Sequence, residues 1–446
     1  MLAAGARSAP SVQSIDPRAA GDPVMAIVSL RSQRIEIYDA QGWILRAPVS
    51  SGQKGRETPA GIFSVLQKDA EHYSNLYADG YMPHMQRLTW SGIALHGGPL
   101  PGYPASHGCV RMPFAFAARL FDATRLGMRV IVAPADTAPV EIAHPNLFRS
   151  KSEASALAAA RAAEAAEAAK KADEARLAAV GAAREAAKAM MPVRVAENLK
   201  LRAEEQLAAA EAMLATANSD EAKTQAEDAK AKTLDKIAEL RAQWAAAKAD
   251  LQPKLEAVVP ARAAAAAAEA SRAAAAQAAQ EASRELEPVS MFISRKTQRL
   301  YVRRAFQPIW ESPVTILDAD RPLGTHVFMA LERTNSGTTM RWNAVTLDDG
   351  RPRASVVELQ GRGGGGRGQA MEPKVSEAES AKLALDRIVI PQDALDRIAG
   401  MLSPRSSLIV SDEELSAETG KDTEFVVVLS GEPQGSLKSR RRDSGN

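Results

Sequence analysis

The sequence predicts an α+β protein of several domains: a β-rich domain, a long Ala-rich helical hairpin or coiled-coil insert, and a second, degenerate β-rich copy of the first. Three observations predict this class. The chain of 446 residues is too long for one ordinary domain. Its middle is roughly half alanine, a composition typical of long helices. Short blocks of the first part also recur, in the same order, after that middle.

The composition excludes several classes of protein. Lys and Arg number 56 against 54 Asp and Glu, so a net charge of +2 gives no global reason to bind nucleic acid or anionic lipid. The chain has one cysteine, Cys109, which excludes an internal disulfide. No apolar run is long enough to predict a membrane-spanning helix.

The first domain reads as short strands followed by one helix. Apolar or alternating runs predict strands at 24–28, 34–38, 43–49 and 61–65. A helix is predicted to begin after Pro113 and to end before Gly127, and a further strand is predicted at 130–132. The domain is therefore expected to be mostly β.

The segment from about 152 to 286 consists mainly of Ala, Glu, Lys, Arg and Gln, which are strong helix formers. Pro192, Pro253 and Pro260 interrupt it and predict two long helices and a shorter third. We weigh a spacer or partner-binding arm against a plain helical hairpin that links two domains.

An internal repeat relates the two ends of the chain. Val24 to Ile35 lines up with Val289 to Leu300 at an offset of 265 residues. Pro59 and Gly61 match Pro322 and Gly324 at 263, which implies a two-residue deletion, and residues 113–132 match 391–410 at 278. Three blocks in one order indicate a duplicated domain.

The segment from 93 to 113 concentrates the residues that carry chemistry. It holds Cys109 and two of the six histidines, His96 and His107, among glycines and prolines. Catalysis by a thiol requires a thiolate, a base within hydrogen-bond reach and donors for an oxyanion. Cys109 stands two residues before Arg111, whose positive charge favours a thiolate. An inert buried cysteine is the alternative, and the flanking glycines favour the nucleophile.

At this point the sequence resembles a known family. Ser106-His107-Gly108-Cys109-Val110-Arg111-Met112, preceded by His96-Gly97, resembles the signature of the L,D-transpeptidase catalytic domain (YkuD type). The run from Thr58 to Phe63 resembles a second motif of that family, and the resemblance covers about residues 24–134. It implies a β-rich, sandwich-like enzyme that remodels bacterial peptidoglycan. Such enzymes attack the L,D bond between the third and fourth stem residues, form a thioester and transfer it to an amine.

The resemblance assigns roles residue by residue. Cys109 would be the nucleophile and His96 its proton acceptor and donor. The Gly97 carbonyl would orient the His96 ring, and amides near Gly108 and Cys109 would form the oxyanion hole. The supporting residues, which would shape the loop or contact substrate, are Ser106, His107 and Arg111. The residues that either line the cleft or belong to the core are Tyr81, Met82, Met85 and Trp90. No cofactor or metal is implied.

Three other readings use the same residues. His84, His96, His107 and Cys109 include zinc-ligand types, but their spacing fits no familiar pattern. A papain-like protease places Cys before His in the chain, whereas here His96 comes first. A sortase-like transpeptidase also uses His, Cys and Arg, but not as a His-Gly-Cys unit.

The second copy lacks this chemistry. The 278 offset places Arg387 opposite Cys109, and His326 matches Phe63 at the 263 offset. The Gly-rich segment 361–368 replaces the His96 loop. We weigh two readings of this copy. It is either an inactive copy kept for stability or dimer-like packing, or a module that binds glycan, stem peptide or a partner protein. In the second reading Arg387, Arg362 and Arg367 would hold anionic stem peptides.

The expected organisation has six parts. The N-terminus shows no complete secretory signal, although Ala3 to Ala6 looks like the end of one. The predicted division is a flexible N-terminal segment, a catalytic domain, a linker, a helical arm, a degenerate second domain and a disordered basic tail, at residues 1–22, 23–134, 135–150, 151–286, 287–431 and 432–446.

The expected function is a periplasmic or cell-envelope peptidoglycan L,D-transpeptidase acting in cell-wall organisation and cell shape, with L,D-carboxypeptidase activity if water replaces the amine. The expected partners are peptidoglycan stem peptides and an envelope protein bound through residues 151–286, with no nucleic acid and no transmembrane segment. The alternative is a catalytically weak envelope scaffold or peptidoglycan-binding protein.

Overall fold

The computed structural model of the chain describes residues 13–14, 19–74, 80–148, 153–334, 339–348, 350, 376–420, 422–435 and 437. The Gly-rich segment 361–368, with Arg362 and Arg367, and the basic residues 438–442 lie outside the described residues. The chain forms two compact units, one of Met1–Ala154 with Glu285–Asn446 and one of Ser155–Arg284. The fold is thus α+β, with sheets in the first unit and helices in the second.

The first half of the sheet-bearing unit contains most of the strands that the sequence predicts. In chain order its elements are β1 (Gln13–Ser14), β2 (Met25–Ser29), β3 (Arg34–Asp39), β4 (Gly42–Pro48), β5 (Gly61–Ser64), β6 (Gln67–Tyr73), β7 (Tyr81–Arg87), β8 (Ala94–Gly97), β9 (Val110–Met112), α1 (Phe114–Ala123), β10 (Arg129–Ala133) and β11 (Val140–Ile142). The strands predicted near 24, 34, 43, 61 and 130 and the helix after Pro113 are confirmed. The β6–β7 hairpin was not predicted, because its alternation is interrupted by charged residues.

The rest of the chain supplies two long helices and a second set of strands. These elements are α2 (Glu153–Thr216), α3 (Asp220–Glu285), β12 (Val289–Ser294), β13 (Arg299–Arg304), β14 (Gln307–Pro313), β15 (Thr315–Ile316), β16 (Thr325–Arg333), β17 (Met340–Asp348), α4 (Glu377–Asp386), β18 (Ile388–Val389), α5 (Gln392–Met401), β19 (Ser407–Ser411) and β20 (Val427–Val428). The sequence repeat carries the strands predicted near 24, 34 and 130 to residues near 291, 300 and 408, and strands β12, β13 and β19 are found there.

Two seven-stranded sheets share the order of five strands. The first runs β1-β4-β3-β2-β10-β5-β20 and the second, read in the opposite direction, β14-β13-β12-β19-β16-β17-β11. The five strands from β4 to β5 in the first sheet correspond to those from β14 to β16 in the second. Strand β2 pairs parallel with β10, with Met25 opposite Arg129, and β12 pairs parallel with β19, with Ser290 opposite Ser407. These pairs are related by the offsets 265 and 278 that the sequence repeat gives. The matching order and register are what a duplication predicts.

The register corrects one detail of the repeat. Val132 lies opposite Gly61 in the first sheet, and its counterpart Val410 lies opposite His326 in the second. His326 therefore corresponds to Gly61 and not to Phe63. The offset of 265 continues into this strand, and the two-residue deletion inferred at Pro322 is wrong for it. The Pro-x-Gly pattern recurs in both halves without occupying the same ladder positions.

The two sheets share one apolar core and exchange their last strands. Ile27 and Ile131 of the first sheet and Phe292 and Ile409 of the second belong to a single buried cluster. Strand β11 of the first half pairs with β17 of the second, and β20 of the second half pairs with β5 of the first. Each half therefore extends the sheet of the other.

Residues after β19 also complete the interior of the first half. Val426 and Leu437 are buried in the cluster that contains Phe63 and Val110. Arg129 on β10 is fully buried, and its guanidinium donates to Ser290 Oγ at 3.1 Å, to Ser407 Oγ at 2.9 Å and to the Phe425 carbonyl at 3.4 Å. Burial lowers the pKa of Arg129, and Glu424 opposes that shift.

The helical unit contains two helices and not three. Pro192 lies inside α2, and Pro253 and Pro260 lie inside α3, so the predicted third helix is wrong. A proline removes one backbone hydrogen bond, but the strong helix formers on both sides allow the helix to continue. The break comes instead before Ser219, whose Oγ accepts the Ala222 N–H at 3.2 Å as an N-cap.

Apolar packing and ion pairs join the two helices. Ala203 of α2 packs with Ile237 and Leu240 of α3, and Lys230 Nζ lies 3.1 Å from Glu211 Oε1. No helix in the described part of the chain is long and apolar enough to cross a membrane.

The strand exchange yields a stability prediction. A Cβ on Gly61 would lie 2.1 Å from the Val427 carbonyl oxygen, so Gly61→Ala should break the β5–β20 pairing and lower the unfolding free energy by about 2 kcal/mol. Gly400→Ala is the control, because Gly400 is in helix α5 with nothing within 4 Å of its added Cβ. Thermal melts of both full-length variants measure the effect. Equal melting temperatures would contradict it.

Candidate active site

Two short parallel strands bring the histidine and the cysteine together. His96 on β8 pairs with Arg111 on β9, and Leu95 pairs with Val110. Cys109 immediately precedes β9. Because side chains alternate along a strand, Leu95 and Val110 point into the core while His96 lies on the opposite face. His96 and Cys109 both line a cavity of about 390 Å³ on that face.

The ring of His96 is held by its neighbour. His96 Nδ1 lies 2.8 Å from the Gly97 carbonyl oxygen, and the side chain is buried. A carbonyl can only accept a hydrogen bond, so Nδ1 carries the proton and Nε2 of the neutral ring has a lone pair. This is the contact that the family resemblance implies for Gly97. A Cβ on residue 97 would lie 3.1 Å from the Phe114 ring, which favours glycine there.

The thiol of Cys109 lies at the edge of the cavity. Cys109 is 9% exposed and packs against Met85 and Ala94. Its Sγ donates to the Gly92 carbonyl oxygen at 3.4 Å. The sulfur is therefore shielded on its core side and accessible only through the cavity.

The loop before the cysteine is fixed by Ser106. The Ser106 Oγ donates to the Cys109 carbonyl oxygen and accepts the Gly108 N–H at 3.1 Å. Gly108 has a φ of +117°, which a residue with a Cβ rarely adopts. Because the Gly108 N–H is used inside the loop, the expected oxyanion hole depends on the Cys109 amide.

Thr58 is a site residue whose individual role the sequence did not indicate. Its Oγ1 accepts the Gly52 N–H at 2.8 Å and donates to the Gly108 carbonyl at 2.9 Å. Thr58 stands in the Thr-Pro-Ala-Gly-Ile-Phe motif, and that motif was the only signal for it. The hydroxyl joins the loop after β4 to the loop that carries Cys109.

The remaining candidates divide between cavity wall and core. His107 and Arg111 line the cavity, as do Tyr81 and Met82. Arg111 packs over Gly98, where a Cβ would lie 3.3 Å from its side chain. Two residues are not among those that line it: Met85, which is fully buried beneath Cys109, and Trp90, which is half exposed on a turn.

No group of three or more His, Cys, Asp or Glu side chains is placed to hold a metal ion among the residues that the structure describes. His84 of the zinc reading packs instead against Phe121 in a T-shaped arrangement, with the two ring centres 5.6 Å apart.

The second half has an arginine at the position of the nucleophile. Ser50 bridges Arg111 in the first half and Thr315 pairs with Val389 in the second, so Arg387 takes the place of Cys109. The Arg387 guanidinium donates to four backbone carbonyls, those of Leu317, Asp318, Arg321 and Pro322, at 2.6 to 3.1 Å. These bonds use four of its five N–H donors, which argues against the predicted role in holding anionic peptides.

His326 of this half is a core residue. Its two ring nitrogens lie 3.0 Å from Thr346 Oγ1 and from the Leu323 carbonyl, and the residue is fully buried.

The comparison with protein families covers the segment that carries these residues, from β2 to β10. Residues 23–132 match the L,D-transpeptidase catalytic domain, YkuD. Both His96 and Cys109 lie inside the matched segment. We refer to it below as the L,D-transpeptidase domain.

Solved L,D-transpeptidases are similar to about a quarter of this chain. The enzyme from Mycobacterium smegmatis is 22% identical over 25% of this chain and 58% of its own, with a TM-score of 0.23. The enzyme from Xylanimonas cellulosilytica is 30% identical over 26% and 62%, also with a TM-score of 0.23. The chain thus spans less than two thirds of these relatives. No curated protein matches it in sequence.

Because the Thr58 hydroxyl bonds two loops of the L,D-transpeptidase domain, its removal is expected to lower the stability of the domain. Thr58→Val keeps the shape but leaves the buried Gly52 N–H without its acceptor, at a cost of about 1–3 kcal/mol. Thr58→Ser keeps the hydroxyl and is the control. Chemical denaturation of the two full-length variants compares them, and a Val variant as stable as the Ser variant would contradict this role.

Proposed function

We propose that the L,D-transpeptidase domain catalyses acyl transfer on peptidoglycan stem peptides through a thioester on Cys109. The observation that carries the proposal is the shared cavity in which Cys109 and His96 lie, with Nδ1 of His96 held by Gly97. That contact leaves the Nε2 lone pair of His96 as the base. The family match to residues 23–132 supports the substrate class.

Each half-reaction moves one proton and exchanges one bond. His96 Nε2 takes the Cys109 thiol proton, and the thiolate attacks the carbonyl carbon of the third stem residue. The C–N bond to the fourth residue breaks, and His96 returns the proton to the leaving amine. In the second step an acceptor amine gives a proton to His96, attacks the thioester carbonyl and displaces the thiolate, which His96 reprotonates. Water in place of the amine gives L,D-carboxypeptidase activity by the same route.

The cavity walls suit a peptide with a free carboxylate. Tyr81, Met82 and Phe114 supply apolar and aromatic surface, and Arg111 brings a cation to the same cavity. A guanidinium pairs well with a carboxylate, as at the end of a stem peptide. Peptidoglycan as substrate places the protein in the periplasm or cell envelope, and this location is part of the proposal.

A scaffold role is the second candidate, and two observations favour it. Several large apolar side chains of the helical unit are exposed, among them Leu177, Met191 and Val259 at 59 to 72%. The second half carries Arg387 where a nucleophile would be needed. Under this reading the helical arm binds an envelope protein and the second half is a degenerate copy without chemistry. We also propose the division of the chain into the six parts given in the sequence analysis.

Acylation by a carbapenem separates the two candidates. One L,D-transpeptidase similar to this chain is solved in complex with imipenem. Intact-mass measurement of the full chain after incubation with imipenem should show one adduct, on the peptide that contains Cys109. No adduct under conditions that label a known L,D-transpeptidase favours the scaffold.

Cys109→Ala should abolish acyl transfer and leave the fold intact. The side chain lies at a cavity edge, so removing the sulfur leaves little unfilled core volume. Muropeptide analysis of purified peptidoglycan after incubation with the variant measures the loss, and circular dichroism is the control for folding. Retained activity would end the thioester mechanism.

His96→Ala should lower the acyl-transfer rate about 100-fold or more, which is what removal of a general base costs. His107→Ala is the matched control in the same cavity, and we expect a smaller loss from it because no part of the mechanism assigns it a proton. A His96→Ala rate near wild type, with a large loss in His107→Ala, would transfer the base role to His107.

A further inference from the structure

A tight turn between β7 and β8 contacts the thiol. The Gly92 N–H donates to the Thr89 carbonyl at 3.0 Å, which closes the turn Thr89–Gly92, and Gly92 has a φ of +102°. The carbonyl of Gly92 accepts from Cys109 Sγ at 3.4 Å. The position of this turn therefore sets the position of the carbonyl oxygen that contacts the sulfur.

The outer side of the turn is held by a residue from the far end of the chain. Glu418 Oε2 accepts the Trp90 N–H at 3.0 Å and the Ser91 N–H at 3.4 Å, across 328 and 327 residues of sequence. Two successive amides on one carboxylate oxygen form a charge-assisted contact, which is stronger than a bond between neutral groups.

Glu418 is itself held in place. Its N–H donates to Ser416 Oγ at 3.2 Å, and Thr419 Oγ1 accepts the Val426 N–H at 3.0 Å. Val426 is buried in the core of the L,D-transpeptidase domain, and Val427 pairs with Ile62 on β5. The carboxylate thus reaches the turn from a segment that is packed into the same domain.

We propose that Glu418 is a positioning residue for the proposed acyl transfer: it fixes the Thr89–Gly92 turn so that the Gly92 carbonyl holds the Cys109 thiol. This role rests on the proposed function, and it gives the C-terminal segment of the second half a part in the site of the first. It explains why a half without a nucleophile remains joined to the L,D-transpeptidase domain.

The charges around the thiol fix the direction of the expected change. His96, His107 and Arg111 line the cavity together with Cys109, and so does Gly92 at the end of the turn. The Arg87 guanidinium lies 5.8 Å from the centre of the Trp90 ring. Loss of the Glu418 charge and release of the Gly92 carbonyl both favour the thiolate, because one removes a negative charge and the other an acceptor of the thiol proton. Release also misplaces the sulfur, which slows acyl transfer.

The test uses full-length Glu418→Gln, and Glu414→Gln serves as the matched control. Glu414 lies on the same segment but forms an exposed ion pair with Lys296, 3.0 Å apart. The chain has one cysteine, so iodoacetamide reports on Cys109 alone. We expect alkylation at pH 7 to become about threefold faster in Glu418→Gln, with the midpoint of its pH–rate profile at lower pH, while acyl transfer falls about tenfold. Glu414→Gln should change neither rate.

Opposite changes in the two rates, at an unchanged melting temperature, are the signature of positioning. Unchanged alkylation and acyl transfer in Glu418→Gln would overturn the proposal. Faster alkylation together with a lowered melting temperature would overturn it as well, because a general loss of fold exposes the buried thiol of Cys109. Alkylation needs no peptidoglycan, so it tests this role even if acyl transfer by wild type is not detected, an outcome that would count against the proposed function instead.

A second variant approaches the contact from the other side. Trp90→Pro removes the N–H that Glu418 accepts, at a turn position where proline is favoured, and Trp90→Ala keeps that N–H. Trp90→Pro should make alkylation faster, but by less than Glu418→Gln, because the Ser91 N–H contact and the Glu418 charge remain. Equal alkylation rates in Trp90→Pro and Trp90→Ala would overturn the proposal.

Discussion

The shared core between the two sheets is the constraint on which the rest of the sheet-bearing unit depends. Apolar residues of both halves, such as Ile131 and Phe292, are buried in one cluster. Burial of a side chain of this size stabilises a fold by about 1.5–3 kcal/mol. Each half also has an apolar cluster of its own, and the segment after β19 completes that of the first half with Val426 and adds β20 and the Glu418 contact. Arg129 of the first half adds polar contacts between the two sheets, because its guanidinium donates hydrogen bonds to Ser290 and Ser407 of the second half.

The chemistry of the candidate site follows from a local constraint inside that frame. Parallel pairing of β8 and β9 brings His96 and Cys109 to one cavity, because the cysteine directly precedes the strand that pairs with the strand of the histidine. Ser106 and Thr58 then fix the intervening loop through bonds to its backbone. The second half keeps the backbone pairing, here between Thr315 and Val389, but has Arg387 in place of the cysteine. The Arg387 guanidinium donates its hydrogen bonds to carbonyls of the surrounding loop. In one half the loop therefore carries a cysteine that lines a cavity, and in the other half the loop carbonyls bind the Arg387 guanidinium.

Local patterns predict much of this structure. Alternating apolar residues located the strands of both halves, and the Ser-His-Gly-Cys motif located the candidate site. The prediction that prolines end helices in the segment 152–286 was wrong. At Pro253 and at Pro260 the helix continues, because the neighbouring helix formers outweigh the one backbone hydrogen bond that each proline removes. The strand exchange and the Glu418 contact join residues hundreds of positions apart, and no periodicity in the sequence encodes such pairs. Arg387 could be aligned with Cys109 from the repeat, but its bonds to carbonyls depend on the loop that surrounds it.

The proposed function depends on an acyl group that is carried on Cys109. Mass spectrometry of the full chain, quenched in acid during turnover of a stem tetrapeptide, detects such an intermediate. We expect a tryptic peptide containing Cys109 whose mass is increased by the acyl group of the first three stem residues, together with release of the fourth residue. Release of the fourth residue without any adduct on Cys109, at quench times shorter than one turnover, would show that the acyl group is not carried on this cysteine.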